Sequence, residues 1–236
     1  MLKYIDAHSH ILTDTQIRDA VACGVEKFII NATFPGDWAT VVDLAQRDNV
    51  YGAIGVHPWF VSKLQCDWEL QLVNTLVAYP NLMVGEIGLD KNRPDLEFQE
   101  NVFRRQLQIA YDMKRIAHIH CVGCWGKMLE ILRASKLPPA VVFHAYSGSP
   151  ELVDEFTKMN GFFSFGIDIN NEKRTQLRLS VAAIPESRIL VESDDASPEF
   201  IPAIVSKIAD IRGVKNDDMA EQIYNNTMGL IHDGTF

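Results

Sequence analysis

Eight short apolar runs, rich in β-branched and aromatic residues, recur along this chain with longer amphipathic stretches between them. In order they are YIDAHSH, KFIIN (27–31), VYGAIGVH (50–57), LMVGEIGL (82–89), IAHIHC (116–121), AVVFHAY (140–146), GFFSFGI (161–167) and RILVESD (188–194). Runs of this length and composition read as buried strands. The stretches between them, such as TDTQIRDAVACG, PDLEFQENVFRRQLQIAYDMK and SPEFIPAIVSKIADIRG, read as helices. Several of these open on a capping residue or Pro, and two end at Gly. Eight strands alternating with helices in 236 residues predict an α/β chain folded as a (β/α)8 TIM barrel. A doubly wound open sheet is the alternative that periodicity leaves open. DDMAEQIYNNTMGLI (217–231) predicts an extra C-terminal helix, and residues 1–236 are expected to form a single domain.

Composition narrows the class. With 47% hydrophobic residues the chain has the material for a packed core, which excludes disorder. No apolar stretch approaches the ~20 residues of a membrane span, and no charged-then-apolar leader precedes residue 3. The chain is therefore expected to be cytoplasmic, with no membrane partner. Four scattered cysteines do not make a disulfide framework. CVGC (121–124) is a single Cys-x-x-Cys, which permits a redox role but reads better as reduced, packed thiols. A net charge of −9 excludes a broad basic face for nucleic acid, so phosphate binding would need bound cations and a few local Lys or Arg.

A barrel gathers its chemistry at the carboxyl ends of its strands. The first run ends on His8 and His10, and alternation puts Asp6 on the same face. Alone, such a His pair fits a solvated edge strand as well as a metal site. But the third run ends on His57, the fourth carries Glu86, the fifth His120, the sixth His144 and the eighth Asp194. Five of the seven histidines thus stand at strand ends, where random placement would scatter them. Glu86 and Asp194 lie within apolar runs, where an unpaired charge is costly unless a cation compensates it. Glu192 shares the face of Asp194, whereas Asp195 points the other way and is expected to be structural or loop-facing. His118 is expected to be a hydrogen-bonded interior histidine, and His232 a surface one. His57 is expected to face substrate or to stand behind the ligands. Four His, one Glu and one Asp exceed a single tetrahedral site and suit two divalent ions sharing a bridging carboxylate.

The chain resembles the TatD family of metal-dependent deoxyribonucleases, within the amidohydrolase-like barrel group. The likeness runs nearly end to end through IDAHSHI, GVHP, VGEIGLD, the helix with Gln99, Phe103, Gln106 and Ala110, HIHC, FHAYSGS, GFFSFG, LVESD and NNTMGLI. It implies that His8, His10 and Asp194 hold one ion, His120 and His144 another, with Glu86 bridging. It also implies Mg2+ or Mn2+, with Zn2+ as an alternative, and exonucleolytic cleavage of single-stranded or frayed DNA. There are departures: after the fifth-strand His the family has a small residue and then Arg, where this chain has Cys121 and Val122. After the eighth-strand Asp the family reads Ala-Pro, where this chain reads Asp195-Ala196-Ser197-Pro198. KNRPD replaces the aromatic region that usually follows GLD, so Lys91 and Arg93 either contact phosphate or belong to a solvated loop.

The expected chemistry is hydrolysis of a phosphodiester by an activated water between ions roughly 3.5–4 Å apart. Asp194 would ligate and accept the water's proton, and Asp6, Asp90 and Glu192 would orient histidines or water. Trp59 and Tyr146 are expected near the mouth, with His57 and Arg93, as substrate contacts or ordinary packing. The alternatives are another amidohydrolase-like reaction on an ester, amide or small phosphoester, and a weakly active binding subunit of a larger assembly. A phosphoesterase of the PHP type shares the H-x-H opening but fits GEIGLD and ESD poorly. The sequence indicates no particular protein partner.

Overall fold

The computed structural model describes residues 2–10 and 13–233. Ile11, which closes the IDAHSHI motif, and the ends of the expected domain (Met1 and 234–236) lie outside the described residues. The expected runs become β1 Tyr4–Ser9, β2 Val25–Asn31, β3 Val50–Ile54, β4 Met83–Asp90, β5 Ala117–Val122, β6 Val141–Phe143, β7 Gly161–Phe165 and β8 Ile189–Val191. All are parallel neighbours in the order β1 to β8. An isolated Ser9–Asp194 bridge, with the Asp194 N–H donating to the His8 carbonyl at 3.0 Å, brings the end of β8 onto β1. A doubly wound sheet has no such contact between its first and last strands, so the fold is the (β/α)8 barrel.

The helices are α1 Asp14–Ala22, α2 Trp38–Leu44, α3 Trp68–Ala78, α4 Leu96–Asp112, α5 Trp125–Arg133, α6 Pro150–Lys158, α7 Thr175–Ala183, α8 Ile201–Arg212 and α9 Asn216–Asp233. Local chemistry sets their ends. Thr13 and Gln16 form a capping box at the start of α1, and Gly213 closes α8 with φ of 67°, a conformation Gly adopts without a Cβ penalty. α9 is the extra helix beyond the eighth crossover. Its Asn226 amide donates to the carbonyls of Glu186 and Ile189, pinning it across the amino end of β8.

Two hydrophobic layers result from strand alternation. The larger lies between the sheet and the helices and holds Phe28, Phe103, Phe143, Phe156 and Phe163 among others. The smaller gathers Ile29, Ala53, Met83, Ile116, Val142, Phe162 and Leu190 with Leu230 and Ile231 of α9. Two residues beyond Ile29, Ile116, Val142, Phe162 and Leu190 come Asn31, His118, His144, Ser164 and Glu192. The same strand faces are therefore apolar at the amino end, where α9 plugs them, and polar towards the carboxyl end.

β4 leaves no room for a side chain against β5 at Gly88, which has φ of 149° and whose hypothetical Cβ would lie 1.9 Å from the His120 carbonyl oxygen. Gly88→Ala is expected to destabilise the fold by on the order of 3 kcal/mol, through overpacking and a disfavoured φ. Gly126→Ala, at a helical position with nothing within 4 Å, should leave stability within about 1 kcal/mol of wild type. Chemical denaturation of the three proteins measures both.

Candidate metal centre

Glu86 lies at the centre of the polar layer, 1% exposed, on an all-buried strand. Its Oε1 is 2.7 Å from His144 Nε2, 2.8 Å from His120 Nδ1 and 3.3 Å from His57 Nε2. Its Oε2 is 3.5 Å from His8 Nε2 and 3.8 Å from His10 Nε2. Five imidazoles thus surround one carboxylate, supplied by β1, β3, β5 and β6 or the residues just after them. His120 Nδ1 and His144 Nε2 are themselves 3.1 Å apart, and the His8 and His144 rings stack at 4.0 Å. His10 Nε2 stands 3.2 Å from Asp194 Oδ1.

Three groups of donor atoms, each mutually within 4.8 Å, follow: His8, His10 and Asp194; His57, Glu86 and His120; and His8, His144 and Glu192. The expected first set recurs intact. His57 is a departure, because its Nε2 points at Glu86 rather than standing behind the ligands. β3 ends at Ile54, and the hydrogen bond from the His57 N–H to the Thr33 carbonyl (2.9 Å) turns the ring inwards. His57 Nδ1 accepts from the Trp59 N–H, leaving Nε2 for the site. The GVHP motif was the available signal.

Several of these atoms are buried without a hydrogen-bond partner among the described residues: both nitrogens of His8, both oxygens of Glu86, His120 Nε2 and His144 Nδ1. The short approaches to Glu86 lack hydrogen-bond geometry. Converging lone pairs with no donor between them suit a cation, and the imidazole and carboxylate set suits a divalent one. The electrostatics agree. Burial would raise the Glu86 pKa, but the surrounding imidazoles, the charge of His144 first, outweigh it and hold the group well below the usual carboxylate range. Burial likewise works against His10, yet Asp194 and Glu86 raise it to about 9. Burial, then the charge of His144, lowers His8, and burial also lowers His57. With those two neutral, their nitrogens are free to ligate.

The supporting residues divide. Glu192 Oε1 accepts from the Ala145 N–H at 2.8 Å and lies 3.6 Å from His144 Nδ1, while Oε2 takes the Ser164 hydroxyl. Asp90 Oδ2 accepts from the Trp59 indole at 2.6 Å and sits 3.7 Å from His120 Nε2. Asp6 is different. The β1–β2 register shifts between Asp6 and Ser9, and the carboxylate turns to β8, taking the Ser193 N–H (2.9 Å) and hydroxyl (2.5 Å) and the His8 N–H (3.3 Å). It bonds no imidazole; it fixes the backbone between the first and last strands. His118 also departs from expectation: it is fully buried, and neither ring nitrogen has a hydrogen-bond partner among the described residues. Burial, then the nearby His8 and His144, pushes its pKa well down, so the ring is neutral. Tyr146 has no exposed surface; it packs on Trp125 and Phe163 and its hydroxyl donates to the Ser149 carbonyl, so it offers no ring face to a base. Trp59 does: it is 47% exposed, with the Arg93 guanidinium 3.9 Å from its ring. Asp195 is exposed as expected, 3.9 Å from His10 Nε2, and His232 is exposed on α9.

Over residues 5–232 the sequence matches the family model for TatD related DNase. The chain belongs to this family. It is 30% identical over 245 residues to the 3′–5′ ssDNA/RNA exonuclease TatD of Erwinia tasmaniensis, covering 93% of each chain. It is 25% identical to a metal-dependent hydrolase of Methanocaldococcus jannaschii over 96% of each. A TatD homologue from Escherichia coli K12 has the same fold, with a TM-score of 0.91 at 26% identity over 96% of this chain and 97% of that one. The chain is thus a TatD-family metal-dependent hydrolase of the class that acts on ester bonds, as the resemblance implied. Among the described residues no helix is long and apolar enough to cross a membrane.

Because Asp6 satisfies three donors next to the TatD-family site, Asp6→Ala is expected to cost about 2–4 kcal/mol. Asp6→Asn, which keeps an acceptor, should cost less. Thermal unfolding of both variants tests the order.

Proposed function

We propose that this chain is a deoxyribonuclease that trims single-stranded or frayed DNA ends with two divalent ions, Mg2+ or Mn2+, or alternatively Zn2+. His8, His10 and Asp194 would hold one ion; His120 and His144, now joined by His57, would hold the other; and Glu86 would bridge. The observation that carries this reading is Glu86 itself: its two oxygens face two different sets of imidazoles across one buried carboxylate. When bound, such ions lower the pKa of a water and neutralise a phosphate. The chain's own residues do the rest. Asp194, kept ionised because His10 outweighs its burial, is the acceptor for the water's proton. Glu192 and Asp90, 3.6 Å and 3.7 Å from the rings of His144 and His120, would orient them.

The mouth of the site supports a strand end as substrate. Its cavity, about 460 Å3, runs from His10, Glu86 and Asp194 out to Trp59 and Phe60. Trp59 is clamped by Asp90 and Arg93, so it presents a base with an aromatic surface already in place. Lys91 lies across Gly123, where any Cβ would come within 2.3 Å of its Cδ. This puts a cation beside Cys121 and Val122, the positions at which the family's Arg is missing. With a net charge of −9, a duplex finds no broad basic surface. The four cysteines are free thiols, in keeping with a cytoplasmic setting.

Two measurements test the reading. Elemental analysis of the purified chain should find close to two divalent ions per chain, and none after incubation with Mg, Mn and Zn would refute the metal assignment. Oligonucleotides labelled at the 5′ or 3′ end should be shortened stepwise in Mg2+ or Mn2+, with Glu86→Ala reducing turnover by more than about 10²-fold and leaving circular dichroism unchanged. Cleavage of acyl esters or amides but not DNA would favour the broader amidohydrolase reading, and inertness towards all of them would favour a binding subunit.

A further inference from the structure

The opposite end of the barrel holds a second cavity, of about 470 Å3, that the proposed chemistry does not use. Its walls are the residues that lead into β3, β4 and β5 together with the end of α9: Tyr51, Tyr79, Met83, Arg115, Ile116 and Ile231 are among them. Arg115 is the anomaly there. It is only 8% exposed, its Nε is buried with no hydrogen-bond partner, and no described carboxylate lies within 4 Å of its guanidinium. Burial pushes its pKa down with nothing to offset the effect.

We propose that this cavity is a binding site for a small anion of carboxylate or phosphate chemistry with an apolar or aromatic body, held by Arg115. A guanidinium nitrogen taken out of water without a partner is destabilising, and Arg's planar fork matches a carboxylate or phosphate in two parallel hydrogen bonds. The nearby charges leave that role open. Arg47 is already paired with Asp14 at 2.9 Å, and Asp48, the acidic residue in the wall, is exposed and forms no ion pair with Arg115. Lys27 donates to the hydroxyl of the wall residue Tyr51 at 3.3 Å, so the cation nearest that ring adds to a positive field. In the same walls Met83, Ile116 and Ile231 with the rings of Tyr51 and Tyr79 supply apolar surface, the usual composition of a small-molecule site.

The test is calorimetric titration with 4-fluorobenzoate and with phenyl phosphate. Saturable binding of either to the wild type is expected, with Arg115→Gln weakening it at least tenfold. Asn81→Trp, an exposed wall position whose ring would fill the cavity from outside, should weaken it similarly and keeps the test valid if the Arg115 variant does not fold. Glu86→Gln should change nothing. Binding that survives both Arg115→Gln and Asn81→Trp, binding lost in Glu86→Gln, or no binding of either anion to the wild type would each overturn the proposal.

Discussion

A buried carboxylate ringed by imidazoles is the constraint on which this molecule is built. Glu86 is 1% exposed, and an isolated charge in that position would be prohibitively costly. The site is arranged so that it is never isolated: nitrogens from His8, His10, His57, His120 and His144 approach it from both sides. Five imidazoles cannot all be protonated so close together, and the pKa shifts divide accordingly. Burial opposes protonation of His8, His10, His57 and His144, yet His10 and His144 are pushed up by their carboxylate neighbours while His8 and His57 are pushed down. Without cations the ring is a compromise among like charges. Divalent ions would remove it, because every imidazole could then be neutral and every carboxylate charged.

The barrel accommodates such a polar centre by confining it to one level. The faces that carry Asn31, His118, His144, Ser164 and Glu192 carry Ile29, Ile116, Val142, Phe162 and Leu190 two residues earlier. The apolar level is closed by Leu230 and Ile231 at the end of α9. That explains why a chain with eight crossovers continues into a ninth helix: the polar level leaves less of the interior for apolar packing, and the helix restores it from below.

How much of this was legible follows from how local each feature is. The strands, the order of elements and the clustering of His8, His10, Glu86, His120, His144 and Asp194 could be read from spacing, because strand alternation fixes side-chain direction. The features that differed lie where alternation stops or is interrupted. Asp6 was expected beside the histidines, but a register shift in β1 turns it to Ser193. His57 lies three residues beyond the end of β3, and its direction comes from a loop hydrogen bond to Thr33. Tyr146 stands after Ala145, whose φ of 43° turns the chain and carries the ring into the aromatic layer. His118 was expected to be hydrogen-bonded, yet nothing in a sequence counts the partners available inside a barrel.

The same turning points carry strain that the site itself maintains. Ala145 and Asp194 both adopt positive φ, at 43° and 53°, a region that costs a non-glycine residue of order 1–3 kcal/mol. Each directly follows or forms part of the candidate centre, and each is held by a bond from another strand or the residues just after it. Glu192 takes the Ala145 N–H, and the His8 carbonyl takes the Asp194 N–H. Glu192 therefore acts twice, on the ring of His144 and on the turn that follows it, while the β1–β8 closure fixes Asp194 opposite His10. Closing the sheet and assembling the donor set are thus one event. A barrel left open between its first and last strands would lose the Asp194 contact to His10 along with its final bridge.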